Sequence, residues 1–379
     1  MSAGEVMARL WPEGQPVRLR WDKGVFAAVE SAGEVSPDVW AAPALVDLQI
    51  NGYAGIDFQQ DGLTMDELVV ATRELRKAGC ERWLLTLITD EWAKLTSRLR
   101  HLRVLRAQSA ELESAIAGWH VEGPFLSAEP GFRGAHDATV MCDPTAEHIR
   151  ELREITGTDP VLLTLAPERQ NAIEVIALAV SLGMKVSLGH TNATGEVLRQ
   201  AIEAGASGFT HLANGCPRDL DRHDNILWRV FDLGKLTISL IPDAIHVSPA
   251  LFRLMHRIVS SDSIYYTTDA MAAAGAPPGK YTIGRLQLEV GADQIVRLPG
   301  TPNFAGSALR PVDGIVRAAE MLGCGWQSVW EHFSTAPARF MGLAEGEIKV
   351  GEPATFCLVQ TEGEEIESVR TFVGGVERE

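Results

Sequence analysis

From residue 44 onward the chain alternates short apolar runs with amphipathic segments, and this alternation constrains the fold more than any other feature. The runs are ALVDLQI (44–50), RWLLTLIT (82–89), AIAGWHV (115–121), VLLTLA (161–166), KVSLGH (185–190), GFTHL (208–212), LTISLI (236–241) and IYYTTD (264–269). They are rich in Val, Ile, Leu and Thr, as strands buried on both faces should be. Segments 65–79, 171–183, 194–205, 249–261 and 312–323 carry apolar residues at three- and four-residue spacing, and several end at a glycine. Parallel neighbours need crossover helices, and eight such units close naturally into a (β/α)8 barrel. An open, doubly wound sheet is the alternative, but it would spread the chemistry-bearing residues across its width.

The two ends read differently. VRLRWDKGVFAAVE (17–30) and the stretch 353–377 look like antiparallel strands separated by turn residues, and neither has enough apolar residues for its own core. The expected architecture is therefore a TIM barrel over residues 43–344, with a small β-sandwich domain formed by both termini, residues 1–42 plus 345–379. Pro43 and GEIKVGEP (346–353) mark the boundaries.

Composition narrows the partners. The formal net charge is −16, which argues against nonspecific nucleic-acid binding and against an anionic membrane surface. No run of about 18 apolar residues occurs, and the start lacks a basic segment followed by an apolar one. Five scattered cysteines with no CxxC pair indicate neither a disulfide framework nor a cysteine zinc site, so the expected location is cytoplasmic.

Five of the runs carry at or just after their ends a residue suited to catalysis: Glu122, His190, His211, His246 and Asp269. In such a barrel the C-terminal strand ends form the active site. Glu122, His190 and His211 suit a divalent metal, and Gly123-Pro124 stops the third strand just beyond Glu122. Asp269, at the mouth of strand eight, is placed to take a proton from water and pass it to a leaving group. His120, two residues before Glu122 on the same face, reads as a structural residue one layer deeper. His101, His148, His256 and His332 lie in helical, charge-rich surroundings and read as surface residues. His136 sits in a glycine-containing loop of the kind that carries substrate contacts. Arg222 suits a phosphate or carboxylate, the alternative being a loop charge paired to Asp221 or Asp224.

The motifs PALVDLQINGYAG (43–55), GWHVEGPFLS (118–127), GAHD (134–137), SLGHTNAT (187–194), THLANG (210–215), PDAIHV (242–247), TTDA (267–270) and FAGSAL (304–309) resemble, in this order, the N-acetylglucosamine-6-phosphate deacetylases. STAPARFMGL followed by GEIKVGEPATF is similar to the C-terminal signature of the wider amidohydrolase superfamily. The resemblance covers about residues 40 to 360. It implies removal of an acetyl group from a small-molecule amino sugar phosphate, with Glu122, His190 and His211 as metal ligands and Asp269 as the catalytic aspartate. It also implies substrate contacts from Ala135, His136, Asn214, Gly215, Arg222, His246, Phe304, Ala305 and Gly306, and a homodimer in which Arg222 reaches the phosphate across the interface. Many amidohydrolases carry His-x-His on strand one, where this chain has Gln49-Ile50-Asn51. Amides are poor ligands, so one metal per chain is expected. Ligand type points to zinc, and iron or manganese accept the same donors. Arg-His-Asp-Asn stands at 222–225 where Arg-Glu-Pro-Gly is common, so another N-acetylated sugar or a cyclic amide is the alternative substrate.

Overall fold

The computed structural model describes residues 2–300 and 304–378. Eight parallel strands form one sheet in chain order: Leu45–Ile50, Cys80–Ile88, Ile116–Glu122, Val161–Leu165, Lys185–Leu188, Gly208–Phe209, Thr237–Leu240 and Ile264–Tyr266. We number these barrel strands one to eight. Each coincides with one of the apolar runs. Alternate side chains divide between two cores, because successive residues of a strand face opposite sides. Val46, Leu48, Leu84, Leu162 and Tyr265 pack together as one cluster. Leu45, Trp83, Leu85, Trp119, Val121, Leu163 and Tyr266 instead join the large core shared with the surrounding helices.

The termini build a second, seven-stranded sheet. Its order is Val376–Arg378, Glu365–Val373, Phe356–Glu362, Val39–Pro43, Gly4–Leu10, Gln15–Asp22 and Val25–Ser31. The sheet curls so that Val25 bridges Pro353 and the Phe26 amide donates to the Glu352 carbonyl at 2.9 Å. Leu19, Trp21, Phe26 and Phe356 fill the curl. Phe356 and Phe372 stack at 4.7 Å with their planes 7° apart.

Several elements lie outside the segments singled out in the sequence. The helix Trp92–Ala107 sets arginines between leucines, so polar residues fall on its buried face as well. Arg98 is buried there and neutralised by Asp61 at 3.0 Å and Asp90 at 3.3 Å. Helices Ala146–Thr156 and Ile226–Leu233 complete the ring after strands three and six. An antiparallel insert, Gly279–Ile283, Leu286–Val290 and Val296–Arg297, stands over the barrel mouth after strand eight. His332 is not a surface residue: it is buried, and its Nδ1 lies 3.0 Å from the Ile264 carbonyl. His148 and His256 are half-buried, and His101 is exposed.

Candidate active site

Glu122 closes strand three, and three imidazoles gather on its carboxylate. His211 Nε2 lies 2.8 Å from Oε1, His190 Nε2 3.4 Å from Oε1, and His136 Nε2 4.0 Å from Oε2. The chain leaves its strands abruptly to aim these groups inward. His190, His211 and Asp269 have φ of 48°, 31° and 51°, the left-handed region that L-residues avoid. Such strain persists where packing over-determines it, and it clusters at functional sites. The His190 ring is wedged between glycines: a Cβ on Gly134 or Gly215 would come within 2.9 Å of it. His190 Nδ1 is fixed by the Phe132 carbonyl at 2.9 Å, and His136 Nδ1 by Thr89 Oγ1 at 2.9 Å. Both rings therefore present Nε2 to the centre.

The electrostatics follow from burial. Burial opposes ionisation of Glu122, but the hydrogen bonds from His190 and His211 hold its carboxyl well below the usual range. Burial likewise opposes protonation of His211, and Glu122 outweighs it, raising the imidazole pKa. The two thus favour an acid paired with positive charge. For His136 burial, then His190, outweighs the pull of Glu122 and pushes it down to about 3, so it is neutral near pH 7.

Asp269 stands opposite this cluster. Its Oδ1 accepts from Gln49 Nε2 at 3.0 Å and Asn51 Nδ2 at 2.7 Å. Gln49 Nε2 also donates to Glu122 Oε2 at 3.1 Å, so one amide lies between two acids. Burial, then Glu122, raises Asp269 to about 7. The role of Gln49 and Asn51 as carboxylate clamps was not foreseen. The register of strand one shifts between Asp47 and Ile50, where the strand ends, so plain alternation does not announce that both side chains reach Asp269.

Asn51, Glu122, His136, His190, His211 and Asp269 line a cavity of about 570 Å³, together with Ala135, Asn214, His246, Phe304, Ala305 and Gly306. His246 is oriented by Asp243, whose Oδ2 lies 2.6 Å from Nδ1, while its buried Nε2 has no hydrogen-bond partner. Phe304 meets the His246 ring edge-on at 5.3 Å. Gly215 packs under His190. Arg222 is exposed and lies outside the cavity lining; Arg218, which the sequence did not single out, is its one Arg or Lys among the described residues. His120 is fully buried below the site, with Nε2 2.8 Å from Thr164 Oγ1.

The donor set fits a divalent metal. Glu122, His136 and His190 offer ligand atoms that all lie within 4.8 Å of one another, with His211 as a fourth group on the same carboxylate. His211 Nδ1 is buried without a hydrogen-bond partner, and the cluster already favours positive charge beside Glu122. Imidazole and carboxylate are the donors that borderline divalent ions take.

No protein-family model matches the chain. It is 31% identical over 339 residues to the N-acetylglucosamine-6-phosphate deacetylase of Danio rerio, covering 84% of this chain and 80% of the relative. The N-acetylgalactosamine-6-phosphate deacetylase of Escherichia coli O157:H7 is 28% identical over 345 residues, covering 89% of each. Among solved structures, an Asp-to-Ala mutant of the Mycobacterium smegmatis N-acetyl-D-glucosamine-6-phosphate deacetylase in complex with N-acetyl-D-glucosamine-6-phosphate superposes with a TM-score of 0.88. It is 27% identical, and the match covers 100% of this chain and 99% of that one. With the barrel, the terminal sheet and the acid-and-histidine centre in the expected order, the chain belongs to the N-acetylglucosamine-6-phosphate deacetylase family of the amidohydrolase superfamily.

Proposed function

We propose that this protein hydrolyses N-acetylglucosamine 6-phosphate to glucosamine 6-phosphate and acetate, with one divalent metal held by Glu122, His190 and His211. The observation that carries the reading is Asp269, clamped by two amides opposite a Glu/His cluster at the mouth of a barrel of this family. A metal bound there supplies Lewis acidity to the hydrolytic water and the acyl oxygen. Zinc fits the donors best, and iron or manganese suit the same set.

The chain's own residues do the rest. Asp269, poised at about 7, accepts a proton from the attacking water as its oxygen bonds to the acetyl carbon. The same carboxyl returns that proton to the sugar nitrogen as the C–N bond breaks, leaving acetate and a free amine. Neutral His136 stands beside the reacting acyl group and stabilises charge on its oxygen. Ala135, Asn214, His246, Phe304, Ala305 and Gly306 line the space for the sugar, and Gly215 supports the His190 ring beneath it. His246, with its unpartnered Nε2 on the cavity, faces the anionic end of the substrate. Arg222, exposed outside its own chain's cavity, meets the phosphate from the second subunit of a homodimer. A cytoplasmic location suits such an enzyme, and no helix among the described residues is long and apolar enough to cross a membrane.

Acetate release from N-acetylglucosamine 6-phosphate, N-acetylgalactosamine 6-phosphate and unphosphorylated N-acetylglucosamine tests the reading. The first should be the best substrate. A clear preference for the galactosamine epimer would move the assignment to the activity named for the Escherichia coli relative, and indifference to the phosphate would remove Arg222 and His246 from recognition.

A further inference from the structure

Strand one and strand eight are the two ends of the eight-stranded sheet, and among the described residues their backbones are joined only by a single parallel bridge, Ile50 to Ala270. A carboxylate stands in the gap. Asp47, on strand one, is fully buried. Its Oδ1 accepts from Thr267 Oγ1 at 2.6 Å and from the Gln49 amide at 3.1 Å. Its Oδ2 accepts from Thr268 Oγ1 at 2.6 Å and from the Thr268 amide at 3.0 Å. Just above, the Asn51 amide donates to the Ala270 carbonyl at 2.7 Å. Asp269 therefore hangs between two stitched neighbours, Thr268 below and Ala270 above. Ser307 adds a third hold, donating its hydroxyl to the Thr268 carbonyl at 2.5 Å and its amide to the Asp269 carbonyl at 2.8 Å.

We infer that Asp47 is a positioning residue for the reaction: it clamps Thr267 and Thr268 to strand one, and so holds the Asp269 carboxylate against Gln49 and Asn51. All four hydrogen bonds of Asp47 go to residues beside Asp269 or to the residue that clamps it. Simple closure of the seam would not need this chemistry. A pair of apolar side chains would close it without burying a charge, which is costly even when satisfied. What a carboxylate adds is direction: it fixes the backbone just before a residue held at a φ of 51°. A catalytic group displaced by a fraction of an ångström loses much of its rate.

The inference rests on Asp269 being the proton carrier, so Asp269→Asn is measured in parallel. The decisive variant is Asp47→Asn in the metal-loaded full chain, followed by kcat, KM, metal content and melting temperature. Asparagine keeps the volume but turns an NH2 toward hydroxyl and amide donors. The expected result is a fall in kcat of about 10- to 100-fold, KM within about threefold, and unchanged metal. A lower melting temperature with kcat per metal-loaded chain within about threefold of wild type overturns the inference and leaves Asp47 a structural residue. If Asp47→Asn does not fold, Thr268→Val and Thr268→Ser decide. Valine should lose kcat and serine, which keeps the hydroxyl, should retain it; equal rates in the two overturn the inference. An active Asp269→Asn sinks both the proton-carrier reading and this one. An inactive Asp269→Asn beside a normal Asp47→Asn sinks this one alone.

Discussion

Two groups of histidines, each buried or half-buried, lie on opposite sides of the barrel wall. At the mouth, His136, His190 and His211 surround Glu122. Outside strand eight, His256 and His332 pack against Tyr266 with ring centroids 5.8 and 5.0 Å away. Burial alone does not separate them: it pushes His256 down to about 4 and lowers His332, as it lowers His136 to about 3. The partners do separate them. His256 Nε2 meets the Tyr266 hydroxyl at 2.9 Å and His332 Nδ1 meets the Ile264 carbonyl, with no carboxylate between the rings. The mouth group shares an acid, keeps an unpartnered His211 nitrogen and opens on a cavity. A perturbed histidine thus points to a site when an acid and an accessible space come with it, and to packing when its nitrogens are already satisfied.

The largest expected effect sharpens this contrast at the mouth. Asp269→Asn should keep its metal and lose about 10²–10⁴-fold in kcat, because asparagine is nearly isosteric but cannot accept the proton. A variant within about threefold of wild type would remove Asp269 from the chemistry. Next come the arginines. Arg222→Ala should lower kcat/KM for the phosphorylated sugar by about 10- to 100-fold, since a charge-assisted hydrogen bond contributes about 1.5–3 kcal/mol. The unphosphorylated sugar should be little affected. If Arg218→Ala reproduces that selective loss and Arg222→Ala does not, the anion is read by the arginine that lines its own chain's cavity.

On the outer face the effects should be on stability. His332→Ala should destabilise the fold by about 1–3 kcal/mol through lost packing and an orphaned carbonyl, with kcat unchanged. A loss of activity in folded His332→Ala would erase the distinction between the two groups. The smallest effect is a pH slope. His256 has a folded pKa of about 4, below its unfolded value of 6.5. Between these values the unfolded chain binds the proton and the folded chain does not, so stability falls as pH drops through that window. His256→Phe should therefore show a smaller drop in melting temperature from pH 7 to pH 5 than wild type. An equal or larger drop would contradict the assignment.

The parts legible in the sequence are those with a short-range physical signature. Strand one reads clearly because its six residues, Leu45–Ile50, are all buried and continuous. Glu122 was legible because Gly123-Pro124 marks a strand end. The helix Trp92–Ala107 was not, since Arg98 faces the interior and is neutralised by Asp90, just before the helix, and by the distant Asp61. His332 was misread because it follows the charged Glu331, whereas its ring is held by the Ile264 carbonyl of strand eight. Gln49 and Asn51 were read as ligands that are missing, whereas their contacts to Asp269 span more than 200 residues. Arg218 and Arg222 sit in one charged loop, and no local pattern says which of them turns toward the cavity.

Metal content per chain, measured on wild type, His190→Ala and His332→Ala purified alike, tests the central claim most directly. The account predicts close to one equivalent in wild type and in His332→Ala, and almost none in His190→Ala. Two tightly held equivalents, loading unaffected by His190→Ala, or loading lost in folded His332→Ala would contradict it.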